Sequence, residues 1–235
     1  TYKFRISLTD KNNTEYSLDK PQQFLSEKAL LRRAKQKLAV DSTDLPIPGK
    51  YLKAIRATGA KVLVTSKWNN TVAVSCADSL LVNKIAKLPF VGNTELVWMG
   101  EEQTQSSDAA QKEEVTNKLE KTDNYYGRAF HQIEVHNGQK LHEAGFRGQG
   151  MTVAIIDGGF KNANKLTALK SLKLLGTRDF VKPNSDIYEE NNHGMKVLSC
   201  MASNEPYSIV GTAPEASYWL LRSEDTSSEN LIEQD

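Results

Sequence analysis

The chain has 235 residues, 39% of them hydrophobic and 25% charged, an ordinary globular composition with room for two small domains or one large one. A total of 30 Lys and Arg against 29 Asp and Glu leaves a net charge of +1. That balance excludes the electrostatic footprint of a nucleic-acid binder and a basic patch for an anionic membrane. Apolar runs such as Val153 to Ile156 fall far short of the about 20 residues that span a bilayer. The first residue is Thr1, with no charged-then-apolar leader before it, which fits either a removed signal peptide or a cut chain.

Tyr2, Phe4, Ile6 and Leu8 alternate with Lys3, Arg5 and Ser7, the period of a half-buried strand. Ser26 can cap a helix whose apolar positions are Leu30, Leu31, Ala34 and Leu38. The segment Asp44 to Gly49, with two prolines, breaks that pattern. A short helix on Tyr51, Leu52 and Ile55 follows, and Gly59 is placed to end it. Val62–Val64 and Val72–Val74 read as a hairpin joined through Trp68-Asn69-Asn70. Asp78 can cap a helix on Leu81, Val82, Ile85 and Leu88, which must stop near Pro89. A last strand covers Thr94 to Met99. Without the helix near residue 30, the order is βαββαβ, a ferredoxin-like α+β arrangement over residues 1–100.

Composition changes at Glu101. From there to about residue 124 the chain is mainly Gln, Ser, Glu, Lys and Thr, too polar to offset its ordering entropy. This segment reads as an exposed linker that a protease would cut readily. Residues 125–235 then form a second domain. Tyr125 to Gly145 suggests one surface helix anchored by Ala129, Ile133, Leu141 and Ala144. Met151 to Ile156, apolar on both faces, reads as a central strand of a parallel sheet. Leu172–Leu175 and Thr177–Val181 add strand material. Asn191-Asn192-His193-Gly194 opens a helix bearing Val197, Leu198, Met201 and Ala202, and Gly211 to Ala216 turns into a strand at Ser217–Leu221. Strands alternating with helices indicate an α/β, doubly wound domain.

Three motifs in this second domain resemble the subtilisin-like serine proteases. Val153-Ala154-Ile155-Ile156-Asp157-Gly158-Gly159 is similar to the family strand that ends in the catalytic Asp. His193-Gly194-Met195-Lys196-Val197 is similar to its His-Gly-Thr-His-Val helix start, and Gly211-Thr212-Ala213-Pro214-Glu215-Ala216 to its Gly-Val-Ala-Pro-x-Ala turn. The order Asp, His, Ser is that of subtilisin. The resemblance implies that Asp157 and His193 are catalytic, with His193 as general base and acid and Asp157 orienting its ring. It further implies that residues 1–100 are a propeptide that chaperones folding and binds its own catalytic domain, with self-cleavage between residues 94–102 and Tyr125. Peptide and protein substrates and a secreted or cell-envelope location belong to the same implication.

The sequence departs from the family in Gly158, where Ser or Thr is usual, and in Met195 and Lys196 after His193-Gly194. The Gly-Thr-Ser nucleophile motif and the oxyanion Asn do not occur before Asp235, and Ser199, Ser203 and Ser223 lack that context. The chain therefore corresponds to the N-terminal half of a subtilisin-like domain and is expected to hydrolyse nothing alone. A non-catalytic pseudoprotease or a propeptide-type inhibitor is the alternative.

A disulfide between Cys76 and Cys200 would hinder release of a propeptide, so both are expected as free, buried thiols. His131 and His136 stand at i, i+5 and do not share a helical face. With His142 they are expected as solvated helix residues rather than metal ligands. The glycines from Gly145 to Gly150 precede a strand, the wrong context for a phosphate loop. No cofactor is implied. Calcium is frequent in the family, but no ligand cluster can be assigned.

Overall fold

A computed structural model describes residues 1–12, 14–100 and 121–227. Residues 1–100 lie in one compact unit and 121–227 in another.

The first unit is α+β. Its elements are β1 (Tyr2–Leu8), α1 (Glu27–Gln36), α2 (Gly49–Ala57), β2 (Lys61–Ser66), β3 (Thr71–Cys76), α3 (Leu81–Ile85) and β4 (Val91–Met99). The strands form one antiparallel sheet in the order β2-β3-β1-β4. Register places Phe4 opposite Val74 and Ile6 opposite Val72, so the alternating apolar residues of β1 and β3 share one face. Tyr51 and Ile55 of α2 and Ile85 of α3 close over that face, and Tyr51 stacks on Phe90 at 3.9 Å between centroids. Asn70, in the left-handed region at φ 54°, makes the hairpin turn between β2 and β3.

Helix α1 starts where expected, with the Ser26 hydroxyl accepting from the Ala29 N–H at 3.3 Å. None of its residues is fully buried, and Leu31 is 63% exposed. An amphipathic pattern announces a helix, but whether its apolar side finds a partner is a matter of long-range packing.

The second unit contains α4 (Phe130–Glu134), α5 (Gly138–Glu143), β5 (Thr152–Asp157), β6 (Lys173–Asp179), α6 (His193–Ala202), the short strands β7 (Asn204–Glu205) and β8 (Ile209–Val210), and β9 (Ser217–Arg222). Among the described residues β5, β9 and β6 form a parallel sheet in that order. Its inner face packs Ile155, Tyr218 and Leu220 against Leu198 and Ala202 of α6. The architecture is thus an α+β unit of ferredoxin-like topology followed by an α/β unit built on a parallel sheet.

Several expectations are corrected. The single helix over 125–145 is two short ones, because Asn137 takes a left-handed φ of 54° between α4 and α5. Ile133 and Ala129 are buried as anchors, whereas Leu141 is 57% exposed. The two pieces of strand material near residue 175 are one strand, β6, with a register shift between Leu174 and Gly176. Among the described residues β9 lies between β5 and β6, and β5 pairs with β9 alone. Ile156 and Trp219, on the sheet's other face, are 59% and 40% exposed. Cys76 is buried, but Cys200 is exposed on α6.

The expected linker falls largely at residues 101–120, outside the described residues. Of its end, Thr122 is described, and its N–H donates to the Tyr207 carbonyl at 2.7 Å within the second unit.

Candidate active site

Asp157 is the last residue of β5, where a run rich in β-branched side chains, Thr152, Val153, Ile155 and Ile156, sets the extended backbone. The carboxyl ends of parallel strands are where open α/β sheets collect functional groups. Its residue surface is only 6% exposed, so its carboxylate must be satisfied by neighbours. The Gly158 N–H donates to Oδ1 at 2.7 Å. His193 Nδ1 lies 3.0 Å from Oδ1 and 2.9 Å from Oδ2.

His193 is the first residue of α6. A helix start leaves its first N–H groups without intrahelical partners. The Asn191 side chain accepts from the His193 N–H at 2.7 Å and so fixes where the helix begins. With Nδ1 turned to a carboxylate, the neutral ring carries its proton there and leaves Nε2 as the acceptor. The His193 side chain is 69% exposed, against 9% for Asp157. A buried acid thus holds one edge of an imidazole whose remainder reaches the surface. That pair can take a proton from an incoming group at Nε2 and return it later, which is the work of a general base and acid.

Two glycines permit this approach. A Cβ on Gly194 would stand 2.6 Å from the Gly159 carbonyl and 2.9 Å from Asp157 Cβ. A Cβ on Gly159 would meet the Asn191 N and O at 2.6 Å. The helix start and the strand end touch through backbone.

Sequence reasoning did not single out Arg222, the last residue of β9. Its residue surface is 6% exposed, and it pairs in register with both Asp157 and Asp179. The signal was available: a cation closes an otherwise apolar strand. Burying it requires paired partners.

Among the described residues no group of three His, Cys, Asp or Glu side chains is arranged to hold a metal ion. The view of His142 as solvated is corrected, since its surface is only 8% exposed. Its Nε2 lies 3.0 Å from the Thr212 carbonyl, and Nδ1 lies 3.5 Å from Arg147.

The class that this architecture defines is the subtilisin-like protease fold with an N-terminal propeptide domain. More particularly, residues 3–117, just under half of the chain, match the family model of the peptidase S8 propeptide domain of Bacteroidota. The match ends inside the polar segment that follows residue 100.

Solved structures of the same fold include fervidolysin from Fervidobacterium pennivorans, a keratinolytic enzyme related to subtilisin. It shares 16% identity over 96% of this chain and 30% of its own, with a TM-score of 0.51. A mutant of EpiP, the epidermin leader peptide processing serine protease of Staphylococcus aureus, shares 10% identity over 99% of this chain and 45% of its own, with a TM-score of 0.51. At those identities the likeness is one of fold, and this chain spans less than half the length of either. No curated protein matches the sequence.

Proposed function

We propose that the chain is the front part of a serine endopeptidase zymogen in which Asp157 orients His193 as general base and acid. The observation that carries this reading is the contact of His193 Nδ1 with both oxygens of a buried carboxylate at the end of a parallel strand. The nucleophilic serine and the oxyanion donor come from outside these 235 residues, so the chain alone hydrolyses nothing. Residues 1–100 act as the propeptide, binding and blocking their own catalytic domain. The polar segment 101–124 joins the two and contains the processing site. Substrates are exposed or unfolded protein segments, met outside the cytoplasm.

The test is a fluorophosphonate probe applied to the longest native form of the protein, with mass spectrometry of its processed ends. Labelling of a serine that disappears in His193→Ala, with cleavage within residues 101–124, is the expected result. An unlabelled, uncleaved product would replace this reading with that of a pseudoprotease or inhibitor.

A further inference from the structure

We propose that Arg222 is a positioning residue that sets the Asp157–His193 distance by holding both arms of the pair with one guanidinium; this rests on the reading of those two side chains as the working pair. Three contacts carry the inference. Arg222 Nε donates to the Gly158 carbonyl at 3.0 Å, on the residue directly after Asp157. Nη1 donates to Asp179 Oδ2 at 3.0 Å, at the end of β6. Nη2 lies 3.6 Å from Glu190 Oε2, three residues before His193.

The backbone around Arg222 is tied to the same places. The Ser223 N–H donates to the Asp157 carbonyl at 3.1 Å, and the Phe180 N–H donates to the Arg222 carbonyl at 2.8 Å. Asp179 is held in turn, accepting from the Val181 and Lys182 N–H groups at 2.9 and 2.7 Å and from the Ser185 hydroxyl. The guanidinium is therefore aimed by a carboxylate that cannot swing away.

Between the two arms the chain is zipped. The N–H groups of Phe160, Lys161 and Asn162 donate to the carbonyls of Ile187, Asn191 and Tyr188 at 3.0, 3.1 and 3.0 Å. Arg222 closes the open end of that zipper, beside the catalytic-type pair. A planar fork with several donors reaches the carbonyl and both acids at once, which an ammonium on a single point cannot do. Small displacements of reacting groups are costly in rate, about a hundredfold for an ångström. A group that fixes both arms consequently acts on the pair's geometry without touching substrate.

The experiment reads the far-downfield proton resonance of the His193 Nδ1–H bond in the 235-residue chain, assigned by its loss in Asp157→Asn. It is joined to kcat and KM of the active protease that the fluorophosphonate labels. Arg222→Gln is expected to broaden or remove the resonance and to lower kcat by about 10- to 100-fold with KM within about twofold. Glu190→Ala releases only the His193 arm; its side chain is 30% exposed, so folding survives. It is expected to weaken the resonance and lower kcat by several-fold.

A folded Glu190→Ala protein with the wild-type resonance and kcat overturns the proposal, as does a folded Arg222→Gln protein that keeps both. If Arg222→Gln does not fold, Glu190→Ala decides. Failure of the underlying reading looks different: Asp157→Asn would then leave proteolysis intact while Arg222→Gln still disturbs the resonance.

Discussion

His193 Nδ1 and Asp157 Oδ2 stand 2.9 Å apart although 36 residues separate them in the chain. The acid is buried and the imidazole mostly exposed, so the carboxylate can fix the ring's tautomer without competing for whatever approaches Nε2. Asp157→Asn keeps the shape but presents an amide to that nitrogen. In the active protease this is expected to lower kcat by about four powers of ten with little change in stability. Progress curves against a peptide substrate, paired with urea unfolding, check both halves.

Gly194→Ala places a methyl 2.6 Å from the Gly159 carbonyl and 2.9 Å from Asp157 Cβ. The helix start must retreat from the strand end, at a cost of about 1–3 kcal/mol. The expected outcome is a lower urea midpoint together with a slowed fluorophosphonate reaction. A variant as stable and as reactive as wild type would mean that the close approach is not needed.

In the first unit, Asp44 is fully buried and accepts from Arg33, from the Asp41 N–H at 3.2 Å and from Trp68 Nε1 at 3.4 Å. Asp44→Ala leaves these donors short of a partner. A loss of about 2–3 kcal/mol follows from unsatisfied donors and a half-buried Arg33. Trp68 lies beside the lesion, so its fluorescence in a denaturant titration reports it. Unchanged unfolding of this unit would count against the arrangement.

Tyr218 is fully buried in β9, its hydroxyl donating to the Ala213 carbonyl at 2.8 Å, and burial pushes its phenol up to about 12. Because the folded-state value is raised above the unfolded one, the folded protein holds this proton more tightly. Stability is fully present below about pH 10 and is lost as pH rises through 12, by on the order of 2–3 kcal/mol. Tyr218→Phe should show a lower Tm at neutral pH from the missing hydrogen bond. Between pH 10 and 12 its Tm should fall less steeply than that of wild type. Parallel slopes would refute the assignment. Burial also raises Tyr126 and Tyr188, so a residual slope is expected in the variant.

Ile156 and Trp219 leave one face of the parallel sheet apolar and open, with the Trp219 ring lying over Gly176. Such a face promotes association. Sedimentation of the 235-residue chain is expected to depend on concentration, and Ile156→Lys is expected to weaken that dependence.

Much of this was legible in the chain itself. The alternation in Tyr2–Leu8, the Ser26 cap, the breaker at Asp44–Gly49 and the apolar run before Asp157 are local signals, and each marks an element. Two motifs and a resemblance point to a pairing of Asp157 with His193, and in the structure the two side chains are in contact. Arg222 was passed over because one basic residue after an apolar strand looks like the strand's solvated end. His142 escapes sequence reading for a related reason: a histidine on a short helix carries no sign of the Thr212 carbonyl 70 positions later.

What the amino-acid order determined, then, was which stretches become strands or helices, since caps, breakers and periodicity act over a few residues, although not whether 125–145 forms one helix or two. Tertiary structure alone decided that β9 lies between β5 and β6, that α1 buries none of its residues fully, and that one guanidinium reaches Gly158, Asp179 and Glu190. Those outcomes depend on contacts between segments tens of residues apart, and the energy of such a contact is set by what the fold brings alongside.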